Sequence, residues 1–339
     1  MIVFRRALMD DLTDIHQLAN QRGVLGITTL PNHIDLLTKR LAWSNTSFNK
    51  ALKSRGPEYY LFVLEDTDSR KVVGTSAIEA SIGFDAPFYS YKLSKLTRMC
   101  HALDIRTDYE VLNLVNDHQG VSEICTLFLD PNYRKHSFGL LLSRARFLFI
   151  ATFPKRFSKQ IIAEMRGNAS EEGHSPFWNA IGAHFFKMSF LEADRLTLST
   201  DKQFIADLMP RHPIYVNLLD QSAQDVIGIP HPSTMPAMRI LFHEGFHYNN
   251  YVDIFDGGPT IEASRDQIKT AAESKVFNFK NSLDKVASKR FIIANTTLDF
   301  RATVGQVIFN QEESSCTLTH ETAAVLQVQA GDSLRISPL

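Results

Sequence analysis

The chain has 339 residues, 44% apolar and 22% charged, enough to bury a large core and long enough for two domains. Its 36 Lys+Arg against 37 Asp+Glu leave a net charge of −1, without the basic surplus that nucleic-acid binding draws on. No apolar run reaches the length of a bilayer-crossing helix, so no membrane partner is expected.

Met1-Ile-Val-Phe-Arg-Arg-Ala alternates and then turns charged, which predicts a first strand rather than a signal peptide. Residues 10–19 have helical spacing with Gly23 as a stop, and after a loop at 26–31 a second helix is expected over 33–41. Residues 59–65 and 72–81 read as strands around a polar turn at 66–71. Residues 124–129 form the next strand, Asp130-Pro131 breaks it, and the turn Arg134-Lys135-His136-Ser137-Phe138-Gly139 feeds a helix. Leu141, Leu142, Ala145, Leu148 and Phe149 share one helical face and Ser143, Arg144 and Arg146 the other, so this helix is expected to pack by one side.

A strand follows at 160–165, and Ser175-Pro176 opens a helix with a capping serine and a first-turn proline. Gly182 is expected to interrupt it before an aromatic strand over 185–190. A similar unit follows: a helix over 236–244 stopped by Gly245, then a strand over 248–255. Two such units predict an elaborated or partly duplicated core over 1–262. Residues 265–289, Lys- and Ser-rich and without Gly or Pro, read as a solvated bridging helix. Short β-like runs at 291–294, 303–309, 316–318 and 332–336 complete a small, barrel-like β module within 263–339. Cys100, Cys125 and Cys316 lack metal or redox spacing, which predicts reduced, mostly buried thiols and a cytoplasmic protein.

The strand-turn-helix at 123–146 is where chemistry concentrates. The first amides of a helix have no partner inside it and, with the macrodipole, suit an anion such as pyrophosphate. Gly139 permits close approach of a ligand, and Arg134, Lys135 and His136 supply local positive charge. The stretch resembles the acyl-CoA signature Arg/Gln-x-x-Gly-x-Gly/Ala of the GNAT acyltransferase superfamily, with Arg134 and Gly139 matching and Ser137 in place of the middle glycine. The order of elements is also similar to that superfamily's, which implies an α/β GNAT-like fold.

Six longer stretches resemble the arginine N-succinyltransferase family. They begin at Ser122, Ala163, Ser175, Leu208, Ala223 and Tyr251, and include Cys-Thr-Leu-Phe-Leu-Asp-Pro131 and Asp-Ile-Phe-Asp-Gly-Gly-Pro-Thr260. The resemblance implies an enzyme that moves succinyl from succinyl-CoA, as co-substrate, to the α-amino group of L-arginine, with no permanent cofactor and no metal. It also implies that Leu127 contacts succinyl-CoA and that His231 is the proton donor. Ornithine as acceptor, or a non-catalytic subunit paired with an active paralogue, are the alternatives, and a homo-oligomer is possible on the same grounds. Main-chain groups at Leu127 and Leu129 suit a pantetheine arm. For the guanidinium and the carboxylates of the substrates, Glu123, Glu164 and Asp117 are the acidic candidates and Arg166 the cationic one. Asn116, His118, Asp253 and Asp256 lie in the neighbouring turns.

Overall fold

The computed structural model describes residues 1–21, 30–52, 54–134, 136–170, 172–199 and 203–339. It opens with β1 (Ile2–Arg6), α1 (Leu12–Asn20), α2 (Ile34–Asn49), β2 (Tyr59–Asp66) and β3 (Lys71–Glu79). A long hairpin of β4 (Ser90–Cys100) and β5 (Ile105–Val115) leads to β6 (Ser122–Leu129), α3 (Phe138–Thr152) and β7 (Gln160–Glu164). Then come α4 (Pro176–Ala180), α5 (Gly182–Phe186), α6 (Phe190–Ser199), α7 (Gln203–Leu208), β8 (Ile214–Tyr215) and α8 (Gln221–Gln224). Next are α9 (Met235–His243), β9 (His247–Val252), β10 (Pro259–Ser264) and α10 (Lys269–Glu273). The chain ends with β11 (Lys275–Leu283), β12 (Arg290–Asn295), β13 (Arg301–Gln306), β14 (Ile308–Asn310), β15 (Ser315–Thr319), α11 (His320–Leu326) and β16 (Ser333–Pro338). The described strands share one sheet, ordered β14-β15-β11-β16-β12-β13-β1-β2-β3-β6-β7-β10-β9-β4-β5-β8.

Strand β2 shows how the sheet is covered. Tyr59, Leu61 and Val63 pack under α1 and α2, while Tyr60, Phe62 and Leu64 pack under α3, so both faces are buried and the run is apolar throughout. Phe149 of α3 lies against Phe48, Tyr60, Phe62 and Phe300, which fixes that helix over the middle of the sheet. Helices α4 to α7 build a second core on β4, β5 and β9, around Trp178, Phe177, Phe186 and Phe190.

Four expectations need correction. Helix α3 is buried on both faces, because Ser143, Arg144 and Arg146 are enclosed too. Arg146 bonds back to the Ser143 carbonyl at 3.0 Å, and Arg144 Nε meets Glu244 Oε1 at 2.8 Å across the α9 terminus. The run at 185–190 is not a strand: Phe186 ends α5 and Phe190 opens α6, with a non-helical link between them, and both rings pack on Trp178. The break itself falls at Ile181, and Gly182 starts α5, where a Cβ would lie 2.2 Å from the Trp178 ring. Residues 265–289 are not one helix. Phe277 and Phe279 alternate with exposed neighbours, a period of two that makes β11 a strand. Finally, Cys100 is exposed rather than buried. The hairpin of β4 and β5 was not anticipated, and α2 runs eight residues past its expected end, while Gly23 and the loop at 26–29 lie outside the described residues.

Glu244 is 2% exposed, and its second oxygen accepts the Thr270 amide at 2.7 Å, tying α3, α9 and α10 together. Glu244→Ala would strand the Arg144 charge in that interior. A loss of about 3–5 kcal/mol in unfolding free energy is expected, measured as a lower urea midpoint at unchanged slope.

Candidate active site

Strand β6 is paired along its length with β3, yet it parallels β7 only at Ser122–Ile161 and Glu123–Ile162. Beyond Glu123 the two strands part, so main-chain groups on the free edge of β6, through Leu127 and Leu129, lack a β7 partner. Thr126 has a φ of 55° and, with Leu127, stands opposite Ser76 alone, forming a β-bulge at the centre of the opening. The strain is held from both sides. Thr75 donates its hydroxyl to the Thr126 carbonyl at 3.1 Å, and the Tyr59 and Thr126 hydroxyls pair at 3.1 Å.

The free edge runs into the turn before α3. Arg134 Nε donates to the Leu129 carbonyl at 3.1 Å, which folds the turn against the strand end. His136 and Ser137 both have positive φ, and Ser137, at 68°, caps the helix without a side-chain bond. This left-handed geometry is what the superfamily's glycine would supply freely, and serine holds it at some cost. The Ser137 carbonyl accepts the Leu141 amide at 3.0 Å, leaving the amides of Phe138, Gly139 and Leu140 ahead of the helical ladder. At Gly139 the nearest atom to an added Cβ is Leu129 Cδ2 at 3.9 Å, so space lies over this end of the helix. Lys135 lies outside the described residues.

On the other side of the opening, the chain leaves β7 through Arg166, whose carbonyl accepts the His231 amide at 2.8 Å. A turn at 256–258 braces that junction: buried Asp256 accepts the Gly167 and Gly258 amides at 2.7 and 2.8 Å. Burial, then the neighbouring Asp253, raises the Asp256 carboxyl well above the usual range. Asp253 in turn accepts the amides of Phe255 and Asp256. Both acids therefore build the turn rather than face a ligand. His231 caps the short 3-10 turn before α9 by accepting the Ser233 amide on Nδ1 at 3.2 Å, with the Ser233 hydroxyl at 2.7 Å. Nε2 is the nitrogen left for reaction. Its pKa is lowered by burial first and by the Arg166 cation second. The ring is thus neutral at pH 7.

The acidic candidates lie on one sheet face, the face covered by α1 and α2 at β2 and β3. Glu123 stands opposite Glu79 on β3, a residue the sequence reading passed over, and pairs on the other side with Ile162. Glu164 follows two residues on and pairs with Thr260 of β10. Asp117 is further from the opening, where it accepts the Tyr251 hydroxyl at 2.9 Å. Between them, Glu262 accepts from Asn249 and Gln160, both at 2.9 Å, and lies 3.2 Å from His118 Nε2. Burial works to raise the Glu262 carboxyl, but the Asn249 and His118 contacts outweigh it and hold it below the ordinary range. Cys125 shares this face, yet burial, then Glu123 and Glu79, push its thiol up, so it is no nucleophile at neutral pH.

A strand pair opened at a bulge, with a free edge leading to a bare helix terminus, makes one continuous run of main chain without a β7 partner, ending where an anion suits the helix dipole. This is an α/β fold with an opened strand pair at its centre. Residues 2–270 match the family model described as arginine N-succinyltransferase beta subunit, and residues 280–338 match its C-terminal domain. The chain is 44% identical to the arginine N-succinyltransferase of Photorhabdus laumondii, over 100% of this chain and 98% of that protein. It is 40% identical to the arginine N-succinyltransferase of an Enterobacter species, over 99% and 97%. The solved arginine/ornithine succinyltransferase subunit AI from Pseudomonas aeruginosa superposes with a TM-score of 0.90 at 35% identity, covering 100% of this chain and 98% of that one. The chain belongs to the arginine N-succinyltransferase family. Among the described residues no helix is long and apolar enough to cross a membrane.

Proposed function

We propose that the chain transfers the succinyl group of succinyl-CoA to the α-amino group of L-arginine, releasing N2-succinyl-L-arginine and CoA. The observation that carries the reading is the opening between β6 and β7, with free main chain and the α3 terminus on one side and His231 on the other. In this reading the pantetheine arm lies along Leu127 and Leu129, and the diphosphate sits on the amides at Phe138 and Gly139, flanked by Arg134 and Ser137. A main-chain amide at the Thr126 bulge donates to the developing oxyanion.

An α-amino group has a pKa near ~8, so the attacking amine sheds a proton before or during attack, and the thiolate takes one as it leaves. In the tautomer whose Nδ1–H donates to the Ser233 hydroxyl, in place of the amide contact, Nε2 of the neutral His231 takes the proton the amine sheds and hands it to the departing thiolate without turning its ring. The Arg166 cation beside it receives the distal carboxylate of the succinyl group, and the face of Glu123, Glu164 and Asp117 receives the basic acceptor. The compartment is one that keeps Cys100, Cys125 and Cys316 reduced, the cytoplasm.

Ornithine is the second acceptor to weigh, because the Pseudomonas aeruginosa relative is named for both amino acids and as a subunit. Thiol release from succinyl-CoA separates the readings when measured with arginine, ornithine, lysine and no acceptor. Release is expected with arginine at the highest kcat/KM. Equal release with and without any acceptor would contradict the proposal.

A further inference from the structure

A cavity of about 420 Å³ opens beside the start of α3, within the usual range of roughly 300–1,000 Å³ for small-molecule sites. On one side it is lined by the turn and first residues of the helix, with the side chains of Tyr133, His136, Phe138 and Leu141. On the other it is lined by Ile2 of β1, Val304 of β13 and Arg290 of β12, the last two from the C-terminal module. In the sheet, β1 and β13 lie on the β3 side of β6, whereas β7 lies on the opposite side. A ligand resting on the bare amides at Phe138 and Gly139 therefore has the β6–β7 opening to one side and this cavity to the other.

The charges of the cavity leave one cation over. Asp66 accepts the Tyr133 hydroxyl at 3.1 Å, and Asp68 pairs with the amino terminus of Met1 at 3.0 Å. The exposed Arg290 side chain has no hydrogen bond or ion pair among the described residues. The rings of Tyr133, Phe138 and His136, the last two with centroids 5.9 Å apart, offer flat faces to a planar base. Asp66 offers acceptor oxygens to an exocyclic amine, and a guanidinium takes a phosphate through two parallel N–H bonds. A purine bearing an amino group and a nearby phosphate satisfies all three. Coenzyme A carries these groups, an adenine and a ribose 3′-phosphate, directly beyond its diphosphate.

We propose that this cavity holds the adenosine 3′-phosphate end of the coenzyme, with Arg290 on the 3′-phosphate, so that the C-terminal module completes the coenzyme site. This rests on the acyl-transfer reading above. The test is calorimetric titration of wild type and Arg290→Gln with CoA and with 3′-dephospho-CoA. Wild type is expected to bind CoA about 10- to 100-fold more tightly than 3′-dephospho-CoA, the worth of a charge-assisted phosphate contact. In Arg290→Gln, affinity for CoA should fall to about that for 3′-dephospho-CoA, while the latter holds at the wild-type value. Equal affinity of the wild type for the two ligands, or a loss in Arg290→Gln that is the same for both, would overturn the subsite while leaving the reaction in place. Wild-type protein that binds neither ligand and releases no thiol from succinyl-CoA would instead overturn the acyl-transfer reading, and the subsite with it.

Discussion

His231→Ala is expected to lower kcat by about 100- to 10,000-fold while leaving the affinity for CoA unchanged, the range over which a positioned proton carrier acts. The separation follows from where the residue sits. His231 is attached to the Arg166 side of the opening through its amide, whereas the proposed coenzyme seat lies on β6 and the start of α3. The pH profile supplies an independent check. Because burial and Arg166 lower the His231 pKa, the ring takes up its proton only at a more acid pH than an ordinary histidine. The acid limb of kcat in the wild type is therefore expected below about 6.5, and it should be missing from the residual activity of the variant. An acid limb shared by both proteins would assign it to another group, and undiminished kcat would remove His231 from the chemistry.

Gly139→Val is expected to weaken CoA binding by about 100-fold or more, from the loss of two charge-assisted amide contacts to the diphosphate. Few substitutions separate folding from binding so cleanly. The nearest protein atom to the new Cβ is 3.9 Å away, an ordinary contact, so the branch carbon meets open space on the protein side, where the diphosphate would otherwise lie. Unfolding free energy should stay within about 1 kcal/mol, since valine is if anything the better helix residue. Calorimetry with CoA and a urea melt of the same sample decide the matter. Normal binding by the variant would place the diphosphate elsewhere.

The elements with strong apolar patterning, β2, β3, β6 and the start of α3, were legible in the sequence because both their neighbours and their period are dictated by burial. The β4–β5 hairpin was not. Its distal half is solvent-exposed on both strands, with Met99, Leu103 and Ile105 uncovered, so no inside-outside alternation marks it. The polar face assigned to α3 misled for a different reason: Arg144 is buried against Glu244 and Thr270, far away in sequence, and Arg146 folds back onto Ser143 in the enclosed helix, which no local period encodes.

At the site, the turn before α3 could be read from residue types, but His231 could not be singled out, since a loop histidine between prolines carries no signal of its own. Its selection came from family resemblance. The left-handed Thr126 was invisible too, because a β-branched residue is among the last expected to hold a positive φ. Glu79, Thr260 and Glu262 acquire meaning only through register, which sets strands distant in sequence side by side.

The most direct measurement is the mass and site of modification of the product formed from succinyl-CoA and L-arginine, with arginine blocked at its α-nitrogen alongside. One succinyl group on the α-nitrogen of free arginine, and no product from the blocked form, is the predicted result. Succinylation of the blocked form, or free arginine recovered unmodified while CoA remains acylated, would contradict it.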